Sequence, residues 1–347
     1  MRALVMHRHG GPEVLQLEDA WPRPVPGAGE IRVRVHACGL NYLDIFTREG
    51  MPGEPTPLPQ ITGADIAGVV ESLGPGVTTP VVGTRVVIDP GWGCGECEYC
   101  RDGLKPRCLR SVMLGEKNPG GLAEFTVCRA AQAIALPDNY PFEKAACLPV
   151  TYGTAWRMVV TRAMARPGEV ALVLGAGGGV ALAAIQILKR FGATVIATAS
   201  TAAKLDRARE HGADHVINYV SDTEWDTTVR RFTRKRGVDI VIETVGASTW
   251  AQSIRALGKG GRLVTSGATS GPIGQTDIRY LFRREHAILG SNGWTHSELR
   301  HVMKLAFAGD LDPVIDRVIP LSAVAAAERA MERREVFGKV IVRPDAA

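Results

Sequence analysis

The chain is 347 residues long, about twice the usual length of one domain, so two domains are expected. Hydrophobic residues at 45% and charged residues at 22% are ordinary globular values and exclude a disordered chain. No apolar run approaches the roughly 18–20 residues that cross a bilayer, and Met1 to Arg8 lacks the apolar core of a secretory leader. A soluble, cytoplasmic chain with no membrane partner is expected. The net charge of +5 is spread along the sequence. Its densest run, Arg230-Arg231-Phe232-Thr233-Arg234-Lys235-Arg236, reads as the solvated end of a helix that starts near Asp222, and no nucleic-acid partner is expected.

The first 125 residues read as short strands and turns. Residues 31–35 alternate apolar and polar side chains as a half-buried strand does, and 67–70 and 84–88 follow as further strands. Pro22, Pro24, Pro26, Gly27 and Gly29 punctuate the way into the first strand, and residues 52–59 form another turn-rich connection. Residues 1–150 therefore read as a mostly β domain with a cysteine lobe inserted at about 91–112. That lobe carries Cys94, Cys97, Cys100 and Cys108 in a C-x2-C-x2-C-x7-C spacing. A reducing compartment argues against disulfides, whereas four thiolates suit one tetrahedral zinc at bonds of about 2.3 Å. Such a site has no vacant position for water or substrate, so one structural zinc per chain is expected.

From residue 168 the pattern changes. Apolar runs at 169–174, 194–199, 215–219, 239–244, 262–266 and 287–290 alternate with helical patterns or turns. Near-continuous apolar strands between helices predict a parallel sheet covered on both faces. Residues 151–290 thus read as a doubly wound α/β domain. Residues 291–347, with helices near 297–308 and 323–332, read as a return to the first domain.

The first of these strands runs into Gly175-Ala176-Gly177-Gly178-Gly179-Val180-Ala181 and then the apolar stretch 182–188. Glycines let the backbone turn sharply and approach a pyrophosphate, which sits on the positive end of the helix. The best register is Ala176-x-Gly178-x-x-Ala181, with Ala at two of the three usual glycine positions and with Gly179 and Val180 inside it. A nicotinamide dinucleotide is the cofactor this implies. An NAD site usually carries an acid at the end of the second strand to hold the ribose hydroxyl. Here residues 197–204 hold none, and Ser200 and Lys204 suit a 2′-phosphate instead, so NADPH is favoured over NADH. Ser200 or Thr201 also suits an N-cap, and Lys204 a surface helix position.

The segments Gly10-Gly11-Pro12-Glu13-Val14-Leu15, Gly39-Leu40-Asn41-Tyr42-Leu43-Asp44 and Gly63-Ala64-Asp65-Ile66-Ala67-Gly68 resemble the medium-chain dehydrogenase/reductase superfamily, as does the closing Phe337-Gly338-Lys339-Val340-Ile341-Val342. The resemblance covers essentially the whole chain. It implies a GroES-like catalytic domain, the four-cysteine zinc lobe, a Rossmann nucleotide domain and the C-terminal return. Zinc alcohol dehydrogenases of the superfamily hold a second zinc on a Gly-x-Cys-His-x-Asp segment, a Gly-His-Glu segment and a later Cys or acid. Here the first Cys position is Asn41 and the His position is Ala64, so no catalytic zinc is expected. That pattern looks like the quinone oxidoreductase, or zeta-crystallin-like, branch, with the lobe that many of its members lack.

The resemblance implies NADPH-dependent reduction of a small quinone or α,β-unsaturated carbonyl. Asn41 and Tyr42 then lie beside the nicotinamide as hydrogen-bond donors, Tyr42 also as a proton source. Asp65 is an acid or base, or orients Asn41 or the backbone. Thr151 approaches the nicotinamide, Tyr219 flanks the adenosine phosphate, Gly267 lies near the nicotinamide and Arg334 reaches the phosphates. A homodimer or homotetramer is also implied. One alternative is an alcohol dehydrogenase whose metal site is rearranged onto His36 and Cys38, sharing one strand face, or onto Asp65 and Cys147. The other is a non-enzymatic, NADPH-binding crystallin-like or RNA-binding protein.

Overall fold

The computed structural model describes residues 1–51, 53 and 55–345. They divide into two compact units, Met1–Val150 with Thr295–Ala347, and Thr151–Trp294.

The first unit is built on a seven-stranded sheet, with Ile315–Pro320, Lys339–Arg343, Glu30–Gly39, Asp65–Leu73, Arg85–Ile88 and Ala133–Ala135 in that order, and Phe125–Arg129 also on Glu30–Gly39. Glu30–Gly39 is the central strand. Ile31, Val33 and Val35 are buried while Arg32 and Arg34 turn outward, the alternation a one-sided core demands. The alternation then breaks. Val35 pairs with Gly68 and Ala37 with Ala67, so His36 is an extra residue in a β-bulge. The bulge corrects the expectation that His36 and Cys38 share a face: Cys38 joins Val33 and Val35 in the core, whereas His36 stacks on Phe142. The C-terminal strand Lys339–Arg343 runs antiparallel to Glu30–Gly39, with Ile341 opposite Gly39 and Val342 opposite Cys38. That register brings Lys339 to the end of the central strand.

The cysteine lobe is closed by a two-pair antiparallel ladder between Gly91–Trp92 and Val112–Met113. Between them lies the short helix Glu98–Arg101.

The second unit holds a six-stranded sheet whose paired neighbours are all parallel. Its order is His215–Asn218, Thr194–Ala199, Val170–Val173, Val238–Glu243, Leu257–Thr265 and Ala287–Gly290. The chain winds outward from Val170–Val173 in one direction and then returns to lay Val238–Glu243 on its other side. The order reverses between those two strands, which is where open α/β sheets hold their ligands. The arginine-rich run ends the helix Trp225–Phe232. Arg230 donates to the carbonyls of Arg255 and Leu257, and Arg236 pairs with Asp239.

Candidate functional site

The four lobe cysteines converge, their Sγ atoms all within 4.8 Å of one another. Tetrahedral zinc with bonds of about 2.3 Å sets its sulfurs about 3.8 Å apart, so the set fits a closed zinc site. Backbone N–H groups face the sulfurs: Cys97 N lies 3.4 Å from Cys94 Sγ and Cys94 N 3.3 Å from Cys108 Sγ. The N–H groups of Glu96 and Cys97 lower the Cys94 thiol to about 6, towards the thiolate a metal needs. Among the described residues, this is the one group of three or more His, Cys, Asp or Glu side chains able to converge on a metal ion.

Asn41 and Asp65 meet in a second, buried constellation. Asn41 lies two residues beyond the end of the central strand and caps the helix Tyr42–Glu49. Its backbone N–H donates to Asp44 Oδ2 at 2.7 Å, and the other oxygen of Asp44 accepts from Gly63 N at 2.8 Å. Burial nevertheless pushes the Asp44 carboxyl up to about 6. The Asn41 amide nitrogen donates to Gly39 O and to Asp65 Oδ2 at 3.0 Å. Its Oδ1 accepts from Lys339 Nζ at 2.7 Å. Lys339 donates as well to Leu40 O at 2.6 Å and Asp65 Oδ2 at 2.9 Å. Asp65 Oδ1 accepts from Val150 N at 2.8 Å. Every donor of the Asn41 amide and of the Lys339 ammonium is therefore engaged within the protein. Lys339 is only 4% exposed and Asp65 is fully buried.

Lys339 is the member that sequence reading missed. It was legible only as part of a closing strand, although a lysine among Val340, Ile341 and Val342, all buried, is a signal that it has a buried partner.

Tyr42 stands in the first turn of the helix, half-buried, with its ring edge-on to Phe46. Burial raises its phenol above the usual value while the Arg334 charge opposes the shift, so two of the candidate residues lie within electrostatic reach. Arg334 follows the helix Val324–Glu332 in a left-handed conformation. Of the remaining metal candidates, Cys38 and Cys147 both lie within electrostatic reach of Asp65, but they form no group of three or more able to converge on an ion among the described residues. Cys147 is buried, its Sγ 3.2 Å from Glu143 O, and desolvation pushes its thiol up to about 12. Burial likewise raises the Cys38 thiol and lowers the His36 imidazole.

In the second unit the glycine-rich turn follows Val170–Val173. Gly175 takes a left-handed φ of 67°, and Gly178 N bonds back to Gly175 O at 2.9 Å. Ala176 is buried with an ordinary φ, which explains why Ala is accepted there: the strained position is one residue earlier. Gly178 is the N-cap of the twelve-residue helix Gly179–Arg190 and has no side chain to cap the first N–H groups of Gly179, Val180 and Ala181. That arrangement fits a pyrophosphate. Thr201 caps the helix Ala202–Glu210 by accepting from Lys204 N at 3.3 Å, and Ser200 and Lys204 are both half-buried. Tyr219 N donates to Ala199 O at 3.2 Å, so Ser200 and Tyr219 extend from adjacent strand ends. Gly267 follows Leu257–Thr265, packed so closely that a Cβ would lie 3.1 Å from Thr244 O. These residues all lie at carboxyl ends of the parallel strands. Thr151 is buried in the π-helical segment Leu148–Tyr152.

Comparison with known proteins gives one match within the first unit and one that begins in the second and runs past Trp294. Residues 27–138 match the alcohol dehydrogenase GroES-like domain, and residues 179–308 match the zinc-binding dehydrogenase domain. The chain is 30% identical to a quinone oxidoreductase of Rattus norvegicus, over 99% of this chain and 97% of that protein. It is 29% identical to an acryloyl-coenzyme A reductase of Sulfurisphaera tokodaii, over 99% of this chain and all of that one. The crystal structure of an NAD-dependent alcohol dehydrogenase superposes with a TM-score of 0.94 at 45% identity, covering 99% of both chains. Fold, zinc lobe and nucleotide turn together make this chain a member of the medium-chain dehydrogenase/reductase superfamily, in its quinone oxidoreductase branch, and an NAD(P)H-dependent oxidoreductase.

Proposed function

We propose that the protein uses NADPH to reduce quinones or α,β-unsaturated carbonyl compounds by direct hydride transfer, without a catalytic zinc. The observation that carries this reading is the Lys339 ammonium, hydrogen-bonded to Asn41 and Asp65 in the segments where zinc alcohol dehydrogenases place metal ligands. Ala64 offers no ligand atom, and the Asn41 amide is engaged with Gly39, Asp65 and Lys339. A second cation beside that ammonium would meet repulsion at short range.

Reduced nicotinamide, when bound, supplies the hydride. The chain's own work is to orient the acceptor, exclude water and meet the negative charge that develops on its oxygen. Tyr42 is the group assigned to that charge. A phenol is protonated at neutral pH at its ordinary value, and burial shifts Tyr42 further in that direction, so it donates a hydrogen bond or the proton itself. Asp65 and Lys339 keep Asn41 in place and thereby the start of the helix that carries Tyr42. Ser200 and Lys204, with no acid at the end of Thr194–Ala199, support NADPH over NADH. Lys204→Ala is expected to weaken NADPH binding about ten-fold relative to NADH, read from the two dissociation constants.

Zinc content per chain, measured on protein purified without added metal or chelator, is the deciding experiment. About one zinc, together with NADPH oxidation by quinones or enones, is expected. About two zincs, with chelator-sensitive oxidation of simple alcohols, overturns the metal-free reading in favour of an alcohol dehydrogenase.

A further inference from the structure

Glu243, the last residue of Val238–Glu243, is fully buried, and its hydrogen-bond partners among the described residues are all uncharged. Burying a carboxylate costs several kcal/mol unless its lone pairs are met. Here four donors meet them. Val245 N and Gly246 N donate to one oxygen at 2.6 and 3.0 Å. The Thr249 and Ser253 hydroxyls donate to the other at 2.9 and 2.7 Å. The carboxylate thus fastens the turn that leaves the strand to the helix Trp250–Ala256 that follows it.

That turn has little freedom left. Gly246 has a φ of 93°, and a Cβ on it would lie 2.7 Å from Gly271 O and 2.9 Å from Ala268 Cα. Val245 O accepts both the N–H and the hydroxyl of Ser270, each at 2.7 Å. Its location is the informative part. Val238–Glu243 and Val170–Val173 are the two strands between which the sheet order reverses, with Val173 opposite Ile242. The turns that follow them meet: a Cβ on Gly175 would lie 3.7 Å from Val245 Cγ2.

We infer that Glu243 is a positioning residue for the nicotinamide cofactor, its carboxylate setting the turn at 244–249 as the wall against the glycine-rich turn at 175–181. The inference rests on the reading that the cofactor binds at that turn. A buried charge in place of an apolar residue makes sense here because backbone N–H groups need an acceptor of fixed position, which a hydrocarbon cannot provide.

The test is equilibrium binding of NADPH and NADH to the zinc-loaded protein, with amide hydrogen exchange of residues 244–249 in its cofactor-free form. Glu243→Ala is expected to weaken binding about ten-fold or more and to speed exchange at Val245 and Gly246, with zinc content unchanged. Glu243→Gln is expected to restore most of the affinity, because its carbonyl accepts the two N–H groups and its NH2 donates to the two hydroxyls. If Glu243→Ala does not fold, the Thr249→Val and Ser253→Ala pair strips the donors from one oxygen and is expected to weaken binding in the same direction. Affinity within about two-fold of wild type in a folded Glu243→Ala, or in that pair, overturns the assignment. A wild-type chain that binds neither dinucleotide overturns the cofactor reading along with it.

Discussion

The Lys339 ammonium directs its three protons to Leu40, Asn41 and Asp65, so none remains for a substrate. Removing it leaves a buried carboxylate without its cation. Lys339→Met is expected to lower stability by about 3–5 kcal/mol in urea denaturation; an unchanged midpoint contradicts this account of the knot. Tyr42 tests the chemistry instead. Tyr42→Phe is expected to lower kcat with a quinone or enone by about 10–100-fold while the affinity for NADPH holds, and equal turnover removes the phenol from the mechanism. A third expectation concerns pH. Arg48 is fully buried and paired with Glu328 at 2.6 Å, yet desolvation, with Asp44 nearby, raises the Glu328 carboxyl from 4.5 to about 7. Between those values the folded chain holds a proton that the unfolded chain has released. Raising the pH through that window therefore removes stability. The stability of wild type relative to Glu328→Gln is expected to fall from pH 5 to pH 7, about where the two pKa values differ; a rise contradicts the assignment. At this scale Asn41 and Asp65, which a hydrogen bond joins, each lie in a short motif that the family resemblance singles out. The pairing of Lys339 was not readable in that way, since it is 298 positions from the amide it holds and only strand register joins them.

The elements follow from patterns of different reach. The cysteine spacing, the glycine-rich turn and the six apolar strands are periodic or local signals, and the structure forms a lobe, a turn and a parallel sheet at those places. The bulge at His36 had no such signal, because an extra residue in one strand is defined only against its neighbour. Metal should matter most to the lobe. Its ladder has two residue pairs, and Cys108 is its one buried cysteine. Cys97→Ser, or removal of zinc by a chelator, is expected to speed amide exchange across residues 91–113 while Glu30–Gly39 stays protected. Loss of protection in both at once would mean that the zinc supports the whole sheet.

Across the described residues, each unit has a buried hydrophobic cluster of its own. One gathers Ile31, Val33, Ile66 and Val342, the other Leu172, Ile196, Val241 and Leu263. A ligand that binds only folded protein stabilises it by mass action, by about 2.7 kcal/mol at a hundred times its dissociation constant. NADPH is accordingly expected to slow exchange most in the sheet of Thr151–Trp294, and uniform slowing in both units would contradict a cofactor site built on the glycine-rich turn. The sequence by itself determined what depends on neighbours along the chain: alternation in strands, four cysteines at metal spacing, and a glycine-rich turn between a strand and a helix. Tertiary structure alone decided what depends on distant segments. The return of Lys339–Arg343 onto the central strand seats Lys339 on Asn41 and Asp65, and the reversal of strand order brings Val245 against Gly175. Periodicity encodes which face of an element is apolar, but not which partner its polar groups meet once buried. That choice belongs to register and topology, which set whether a buried charge finds its counter-charge or four neutral donors.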